Sequence, residues 1–374
     1  MLTRRWTMWR HFDYLLLLTA VLLLAYGIVM VYSATATPTG LAQPVLSSLA
    51  GRQALFGGAG LVLLVIAAAT DFKRVNQLAY PLYALNLLLL MAVAAIGLRS
   101  HGAQRWINVA FFEFQPSELA KLLVIITLGK FLADHQEKLR QFRWLLASLA
   151  LVGVPIVLVY LQPDFGTAMV LLAIWGGMVI MAGARWLHLG VLLGCGGVLA
   201  PLFWQVMKPY QRSRLLIFLN PESDPSGQGY NMIQSRISIG SGGWLGQGFG
   251  LGTQSQLDFL KVQQTDFIFA VLGEELGFVG AMALFLLFII LLFRVIRGIS
   301  VASDGFGRTV AAGIASMLLF QIFVNVGMTV GLMPVTGIPL PFISYGLSSL
   351  LTTMLALGLL QSIIVYSQRG AWDG

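Results

Sequence analysis

The chain has 374 residues, 57% of them hydrophobic and only 10% charged, with a mean hydropathy of +0.82. A soluble domain carries about 25% charged residues, so the composition excludes a water-covered globule and assigns most of the surface to lipid. The net charge of +8 reflects topology and contact with anionic membrane lipids, and gives no reason to invoke nucleic acid.

Ten apolar runs approach the ~20 residues that cross ~30 Å of hydrocarbon. Seven come early, at Tyr14–Tyr32, Ala54–Thr70, Leu78–Gly97, Leu119–Ala133, Trp144–Leu161, Phe165–Gly183 and Trp186–Met207. The last three are Leu276–Phe293, Val310–Val335 and Leu347–Tyr366. The fourth is short and contains Lys121 and Lys130, which makes it the weakest span of the set. The first run resembles a signal peptide with Ala34-Thr35-Ala36 as its cleavage site. It exceeds the ~7–15 residues of such a core, so a retained helix is expected. Cys195 is the single cysteine, which rules out an internal disulfide framework.

The basic residues orient the chain. An even number of spans puts both termini on one side, together with Arg4, Arg5, Arg10, Lys73, Arg74, Lys138, Arg140, Arg143, Arg185, Arg294, Arg297, Arg308 and Arg369. The opposite short loops hold Arg52, Arg99 and Arg105. Lys and Arg are retained in the cytoplasm during insertion. The expected architecture is an all-α integral membrane protein: one polytopic, multi-pass domain over residues 1–374, with both termini cytoplasmic. A large extracytoplasmic loop, 208–265, joins the seventh and eighth spans. Its apolar stretches Leu215–Leu219 and Met232–Ile239 predict short helices at the outer membrane face, not a disordered linker.

The acids gather on the outer half: Glu113, Glu118, Asp164, Glu222, Asp224, Asp258, Asp266, Glu274 and Glu275. Ionisable groups near a bilayer are costly and usually face a polar cavity or a partner. Asp164 after Pro163 and Asp266 after Thr265 both read as helix N-caps or as functional carboxylates, with neither reading favoured. In "QPSELAK", Glu118 and Lys121 lie three apart on one helix face. They form either a structural ion pair or a device that orders a head-group cavity. If the eighth span begins at Leu276, Glu274 and Glu275 sit at the hydrocarbon boundary, and Asp266 lies above it under the long loop. Gly273 and Gly277 flank the two glutamates as a close-packing pair. Asp266 is then the acid best placed to meet a lipid-linked substrate, and shelter from water suits it to act as a general base.

Cations supply the counterpart. Lys208, Arg212, Arg214, Arg236 and Lys261 are external, with Arg105 and Lys121 nearby. Arg pairs bidentately with phosphate, so each is either a substrate contact or a solvated loop charge. The run 240–252 carries seven glycines in thirteen residues without a Walker or G-x-G-x-x-G pattern, and tight turns or close backbone packing are expected there. Gln321 and Asn325 are four apart and are expected to bond across helices. The four histidines are scattered and suggest no zinc site.

Six stretches carry a resemblance. They are "HGAQRWINVAFFEFQPSELAK", "QPDFGTA", "YQRSRLLIFLNPESDPSGQGYNMIQSRISIGSGG", "GLGTQSQLDFL", "TDFIFAVLGEELG" and "GIPLPFISYG". In this order the chain resembles the SEDS family of polytopic membrane proteins, nearer its RodA type than its FtsW type. The resemblance implies ten membrane helices and a peptidoglycan glycosyltransferase that polymerises lipid II on the outer face, for cell elongation and shape. It implies Asp266 as the catalytic acid of the TDF motif, and places the family's motif residues on Glu118, Lys121 and Asp164. It also implies a class B penicillin-binding protein as partner. Relatives read LPE-x-x-TDF, whereas this chain reads Leu260-Lys261-Val262-Gln263-Gln264-Thr265-Asp266. A role for that Glu cannot be transferred.

The expected reaction releases undecaprenyl pyrophosphate, its charge held by external Arg and Lys side chains, with or without a divalent cation (Mg or Mn). Two other classes fit the same residues. A lipid II flippase needs polar groups continuing toward the cytoplasmic side; a non-catalytic scaffold for a cell-wall synthase predicts that acid-to-amide changes are silent.

Overall fold

A computed structural model describes residues 10–35, 48–100, 103–109, 112–224, 227–257, 259–260 and 262–370. Among them the chain is mostly helical. The helices are α1 (Tyr14–Thr35), α2 (Leu49–Ala69), a short α3 (Phe72–Gln77), α4 (Ala79–Ile96), α5 (Pro116–Asp134), α6 (Phe142–Leu161), α7 (Phe165–Met181) and α8 (Trp186–Val206). Then come three short ones, α9 (Pro209–Leu219), α10 (Gln228–Gly242) and α11 (Thr253–Gln256), and three long ones, α12 (Ile268–Val301), α13 (Gly305–Thr329) and α14 (Leu347–Gly370). Six of these are long and apolar enough to cross a membrane, and three shorter apolar helices accompany them. This is the construction of a multi-pass membrane protein.

The least apolar run proves to be central. In α5 every residue from Pro116 to Gly129 except Leu119 is buried. The helix packs against α4, α7, α13 and α14, so neighbouring helices separate its charges from lipid. Those charges are also paired. Lys121 Nζ lies 2.6 Å from Glu118 Oε2, with both side chains buried, and Lys130 lies 3.3 Å from Asp134. At the other extreme, α8 stands at the periphery with nearly all its residues exposed, Cys195 among them, as a lipid-covered helix must.

One element escaped the hydropathy pattern. Between α4 and α5 the chain forms a three-stranded antiparallel sheet, β1 (Leu98–Ser100), β2 (Ala103–Val109) and β3 (Phe112–Phe114). Its register pairs Leu98 with Trp106 and Asn108 with Glu113. Ser348, in the first turn of α14, ties it down: its hydroxyl donates to the Glu113 carbonyl at 3.3 Å and accepts from the Gln115 amide at 3.0 Å.

The loop between α8 and α12 forms the short helices expected of it, and it enters α12 in a specific way. At Gly277 α12 leaves helical geometry, with φ +63°. A regular helix would bond Phe278 N–H to the Glu274 carbonyl and Val279 N–H to the Glu275 carbonyl. Here these amides donate instead to the carbonyls of Gly243 (2.9 Å) and Trp244 (3.1 Å). In return the Glu274 and Glu275 carbonyls accept from the amides of Gln247 (2.9 Å) and Gly248 (3.0 Å). The glycine-rich turn thus substitutes for one turn of the helix and pairs the two amides and two carbonyls that the break sets free, as a low-dielectric setting demands. The approach is too close for side chains. A Cβ on Gly246, whose φ is +81°, would lie 2.1 Å from the Glu275 carbonyl oxygen.

The glutamate side chains complete the joint. Glu274 accepts from the Gln254 amide at 2.7 Å and the Ser255 amide at 3.2 Å, the free N–H groups that open α11. Glu275 accepts from the Ser33 hydroxyl at 2.6 and 2.7 Å. Gln256 and Gln263 donate to the Ser33 and Ala34 carbonyls near the end of α1 (3.3 and 2.9 Å). Both carboxylates are fully buried and serve the architecture.

Gly246→Ala should destabilise the protein by at least ~1–2 kcal/mol from the left-handed backbone alone, with the clash added. Gly240→Ala, on the exposed face of α10 with nothing within 4 Å of its Cβ position, should be neutral or stabilising by up to ~1 kcal/mol. Thermal unfolding of the two variants in detergent checks this, and equal melting temperatures would contradict the inserted-turn description.

Candidate functional site

Asp266 lies in the turns that lead into α12. Thr265 closes them by donating its amide to the Val262 carbonyl at 3.2 Å. Val262 itself has φ +60°, a costly conformation for a β-branched residue. Asp266 does not cap α12: Phe267 occupies the N-cap position, with no side-chain bond to the helix. That removes the capping role read from the sequence.

The turn is held from the side of the Pro-rich segment 336–345. Ser344 Oγ donates to the Thr265 carbonyl at 2.6 Å, and the Tyr345 amide to the Gln264 carbonyl at 2.9 Å. Asn325 in α13 reaches both strands of chain: its Nδ2 donates to the Asp266 carbonyl (3.2 Å) and to the Ile338 carbonyl (2.8 Å). Its companion Gln321 is buried with its amide unpaired among the described residues, so only one of the two forms the expected cross-link. Gly337 faces the site with φ +74°, and a Cβ there would sit 3.6 Å from Asp266 Oδ2.

Asp266 is half-buried. Burial pushes its pKa up, against the opposing pull of Arg214, the Thr265 hydroxyl and Arg105. Arg214, from α9, is itself partly buried. Burial lowers its pKa, and the strongest opposing charge is Asp266. Its Nη1 donates to the Thr336 carbonyl at 3.3 Å, which fixes the guanidinium beside the 336–337 backbone.

Arg105, on β2, is the second cation. It donates through Nε to the Gln162 carbonyl at 3.1 Å and through Nη2 to the Pro163 carbonyl, where α6 has ended. Its Nη1 lies 3.9 Å from Asp164 Oδ1. Asp164 does cap a helix: Oδ1 accepts from the Thr167 amide at 3.2 Å, at the start of α7. Its other oxygen accepts from Ser117 Oγ (3.0 Å) and Gln115 Nε2 (3.2 Å). Asp164 and Asp266 both act on Arg214, so two carboxylates and two arginines drawn from four elements lie within electrostatic reach of one another. Tyr210 joins them, under the influence of Arg105 and Arg214. It lies in the stretch "YQRSR", but nothing in its local spacing marks it.

The remaining candidates lie apart. Glu118 and Lys121 are closed on each other inside α5. Arg212 donates through Nη2 to the Gln205 carbonyl at 2.6 Å, back toward α8. Arg236 is exposed on α10 and donates to the Gly331 carbonyl at 3.1 Å, beyond the end of α13. Asp258 and Lys261 lie outside the described residues. Among the described residues no three His, Cys, Asp or Glu side chains converge. At Asp266 the neighbouring charges are guanidinium groups, a poor donor set for a divalent cation.

The sequence model of the cell cycle protein family FTSW_RODA_SPOVE matches residues 13–369. The peptidoglycan glycosyltransferase MrdB of Escherichia coli (strain K12) is 39% identical over 355 residues, 94% of this chain and 93% of the relative. The stage V sporulation protein E of Bacillus subtilis (strain 168) is 39% identical over 359 residues, 95% of this chain and 98% of that one. Among solved structures, one chain of a peptidoglycan synthase complex described as coordinating polymerization and crosslinking superposes with a TM-score of 0.81 at 35% identity, covering 95% of this chain and 98% of its own. The rod shape determining protein RodA of Thermus thermophilus gives 0.68 at 31% identity, covering 94% and 96%. With a family match from Asp13 to Arg369 and relatives aligned along nearly their whole length, the chain belongs to the SEDS family, the FtsW, RodA and SpoVE proteins.

Proposed function

We propose that the chain is a peptidoglycan glycosyltransferase that polymerises lipid II into glycan strands for cell elongation and shape, with Asp266 as its general base. The relatives named as peptidoglycan glycosyltransferases support the reaction class. The observation that supports the residue is a half-buried carboxyl at the entrance to α12 whose pKa is raised by burial, within the electrostatic influence of Arg214 and Arg105. In this reading α1, α2, α4 to α8 and α12 to α14 cross the bilayer, both termini are cytoplasmic, and loop 208–265 lies outside with Asp266. A class B penicillin-binding protein is the partner, in line with a structural neighbour taken from a synthase complex.

Asp266 takes the proton from the 4-hydroxyl of the GlcNAc of one lipid II. The oxygen attacks the anomeric carbon of the MurNAc in the lipid-linked strand. The bond from that carbon to the pyrophosphate oxygen breaks, and its electron pair leaves on undecaprenyl pyrophosphate. One displacement with one base inverts the anomeric centre, by analogy with inverting glycosidases. Arg214 and Arg105 supply positive charge where the leaving group gains negative charge. Asp164 supports the substrate site by restraining Arg105, and the buried Glu118–Lys121 pair supports it only through the packing of α5. Arg212 and Arg236 become substrate contacts by turning from the Gln205 and Gly331 carbonyls. No step is routed through a protein-held metal, which the donor set does not fit.

Asp266→Asn keeps the shape and removes the base. Glycan synthesis from purified lipid II, with the transpeptidase partner present, should fall by ~10²–10⁴, with thermal unfolding unchanged. Undiminished polymerisation would remove Asp266 from the role.

The pH dependence has a fixed sign. Burial favours the protonated form, so the active carboxylate is lost as pH falls through a value above the ordinary 3.8. Arg214 pulls that value down. Arg214→Gln should therefore move the acid limb of the rate profile to higher pH as well as slow the reaction. A limb that moved to lower pH would show that Arg214 does not stabilise the carboxylate.

A further inference from the structure

The far end of α12 carries a second built arrangement of charge. Arg294 is 17 residues beyond the break at Gly277, or ~25 Å along regular helix at 1.5 Å per residue. That is most of the ~30 Å of hydrocarbon, so it lies at the opposite end of α12 from Asp266. A cavity of about 190 Å³ opens there, lined by Arg10, His11, Asp13, Arg294, Arg297 and Gln368, with apolar side chains at its base.

Part of this cavity is rigid. Asp13 is buried just before α1, and its Oδ1 accepts from the Leu16 amide at 3.0 Å. Its backbone is locked to Gln361 of α14 in both directions: the Asp13 amide donates to Oε1 at 3.1 Å, and Nε2 donates to the Asp13 carbonyl at 2.7 Å. Arg294 donates to this fixed carboxylate through Nε (3.1 and 2.8 Å) and Nη2 (2.5 Å). One guanidinium is thereby held at the wall, with Nη1 unpaired among the described residues.

Arg10 and Arg297 are exposed, and among the described residues neither has an acidic partner. The cavity holds three arginines against the single acid Asp13, an excess of two positive charges before His11 is counted. Solvated loop charges would leave no concavity and no fixed guanidinium. Three forks around a space that could hold about six water molecules suit a tetrahedral anion with several acceptor oxygens. The cavity opens at headgroup depth between helix ends, where phosphate-bearing lipids reside.

We propose that this cavity is a binding site for a phosphate-bearing anion, occupied in the membrane by the headgroup of an anionic phospholipid. Arg294 is its fixed wall, and Arg10 and Arg297 are the arms that close on the phosphate. The site is separate from Asp266, and its occupancy is read without any glycan synthesis.

The test uses the purified full chain in native mass spectrometry, after exchange into phosphatidylcholine with phosphatidylglycerol titrated in. Wild type should retain phosphatidylglycerol in preference to phosphatidylcholine. R10Q/R297Q should weaken that retention by roughly tenfold or more, because the two charged contacts that close on the phosphate are lost. R140Q/R143Q removes the same two charges from exposed residues outside the cavity and should bind like wild type. An equal loss in both double variants would reduce the effect to general surface charge and overturn the site. So would full retention by R10Q/R297Q with an unchanged melting temperature. The single R297E variant, at an exposed position, repeats the test should the double variant unfold. Inorganic phosphate in a parallel arm distinguishes the sources. Displacement of lipid at millimolar phosphate assigns the site to the phosphate group itself. Retained phosphatidylglycerol with no effect of phosphate assigns it to the intact lipid. Binding of neither in wild type refutes the proposal.

Discussion

The candidate site depends on four backbone hydrogen bonds at Gly277. A helix that opens within or beside hydrocarbon exposes amides and carbonyls that cost several kcal/mol each if left unpaired. Here the glycine-rich turn 242–248 takes up the Phe278 and Val279 amides and returns the Gln247 and Gly248 amides to the freed carbonyls. That exchange fixes the loop between α8 and α12 to α12 at one height. The segment Ile268–Leu276 then rises beside α10 and α11, and carries Asp266 with it at its upper end. Glu274 and Glu275 brace the same joint, one against the amides of α11 and the other against Ser33. Each buried carboxyl at that depth is given donors, two backbone amides of α11 for Glu274 and the Ser33 hydroxyl for Glu275.

The second constraint is electrostatic. A carboxylate meant to accept a proton has to resist ionisation somewhat, and a site that releases pyrophosphate needs cations. These demands oppose each other when they share a few ångströms. Burial raises the Asp266 pKa, and Arg214 and Arg105 lower it. Arg105 is restrained by the Gln162 and Pro163 carbonyls and by Asp164, so its influence on Asp266 is weaker than that of Arg214. Asp164 thereby has a defined electrostatic part, holding one of the two arginines back, in addition to capping α7.

Much of this arrangement is legible in the residues, for a physical reason. The bilayer imposes one rule on every span, so hydropathy finds the long helices even though the packing is unknown. It misjudges α5, because helices that shield one another from lipid tolerate Lys121 and Lys130. It is blind to the sheet at Leu98–Phe114, whose short strands carry no strong period. Asp266 stands out from its position ahead of an apolar run, and Asp164 and Glu118 from the ends of theirs. Which arginine faces which acid does not follow from position. Arg212 and Arg214 are two residues apart on α9 and point to different carbonyls, those of Gln205 and Thr336. Asn325 is legible as a polar group in a span, but its partners, the backbone at Asp266 and Ile338, are 59 and 13 residues away. The glycines of 240–252 announce close packing, but not that their partner is a broken helix.

Arg214 links these two constraints to the proposed chemistry. In the absence of substrate it is the largest charge holding Asp266 in its ionised form. A pyrophosphate drawn beside it offers the guanidinium more negative charge than one carboxylate does, and bidentate geometry as well. As the guanidinium turns toward the phosphate, Asp266 loses its main electrostatic support, and its affinity for a proton rises. The base would therefore strengthen when the donor is in place and stay weaker when the site is empty. One side chain on a short helix of the loop would then couple leaving-group binding to proton abstraction, and the joint at Gly277 keeps that loop at the height where the coupling can act.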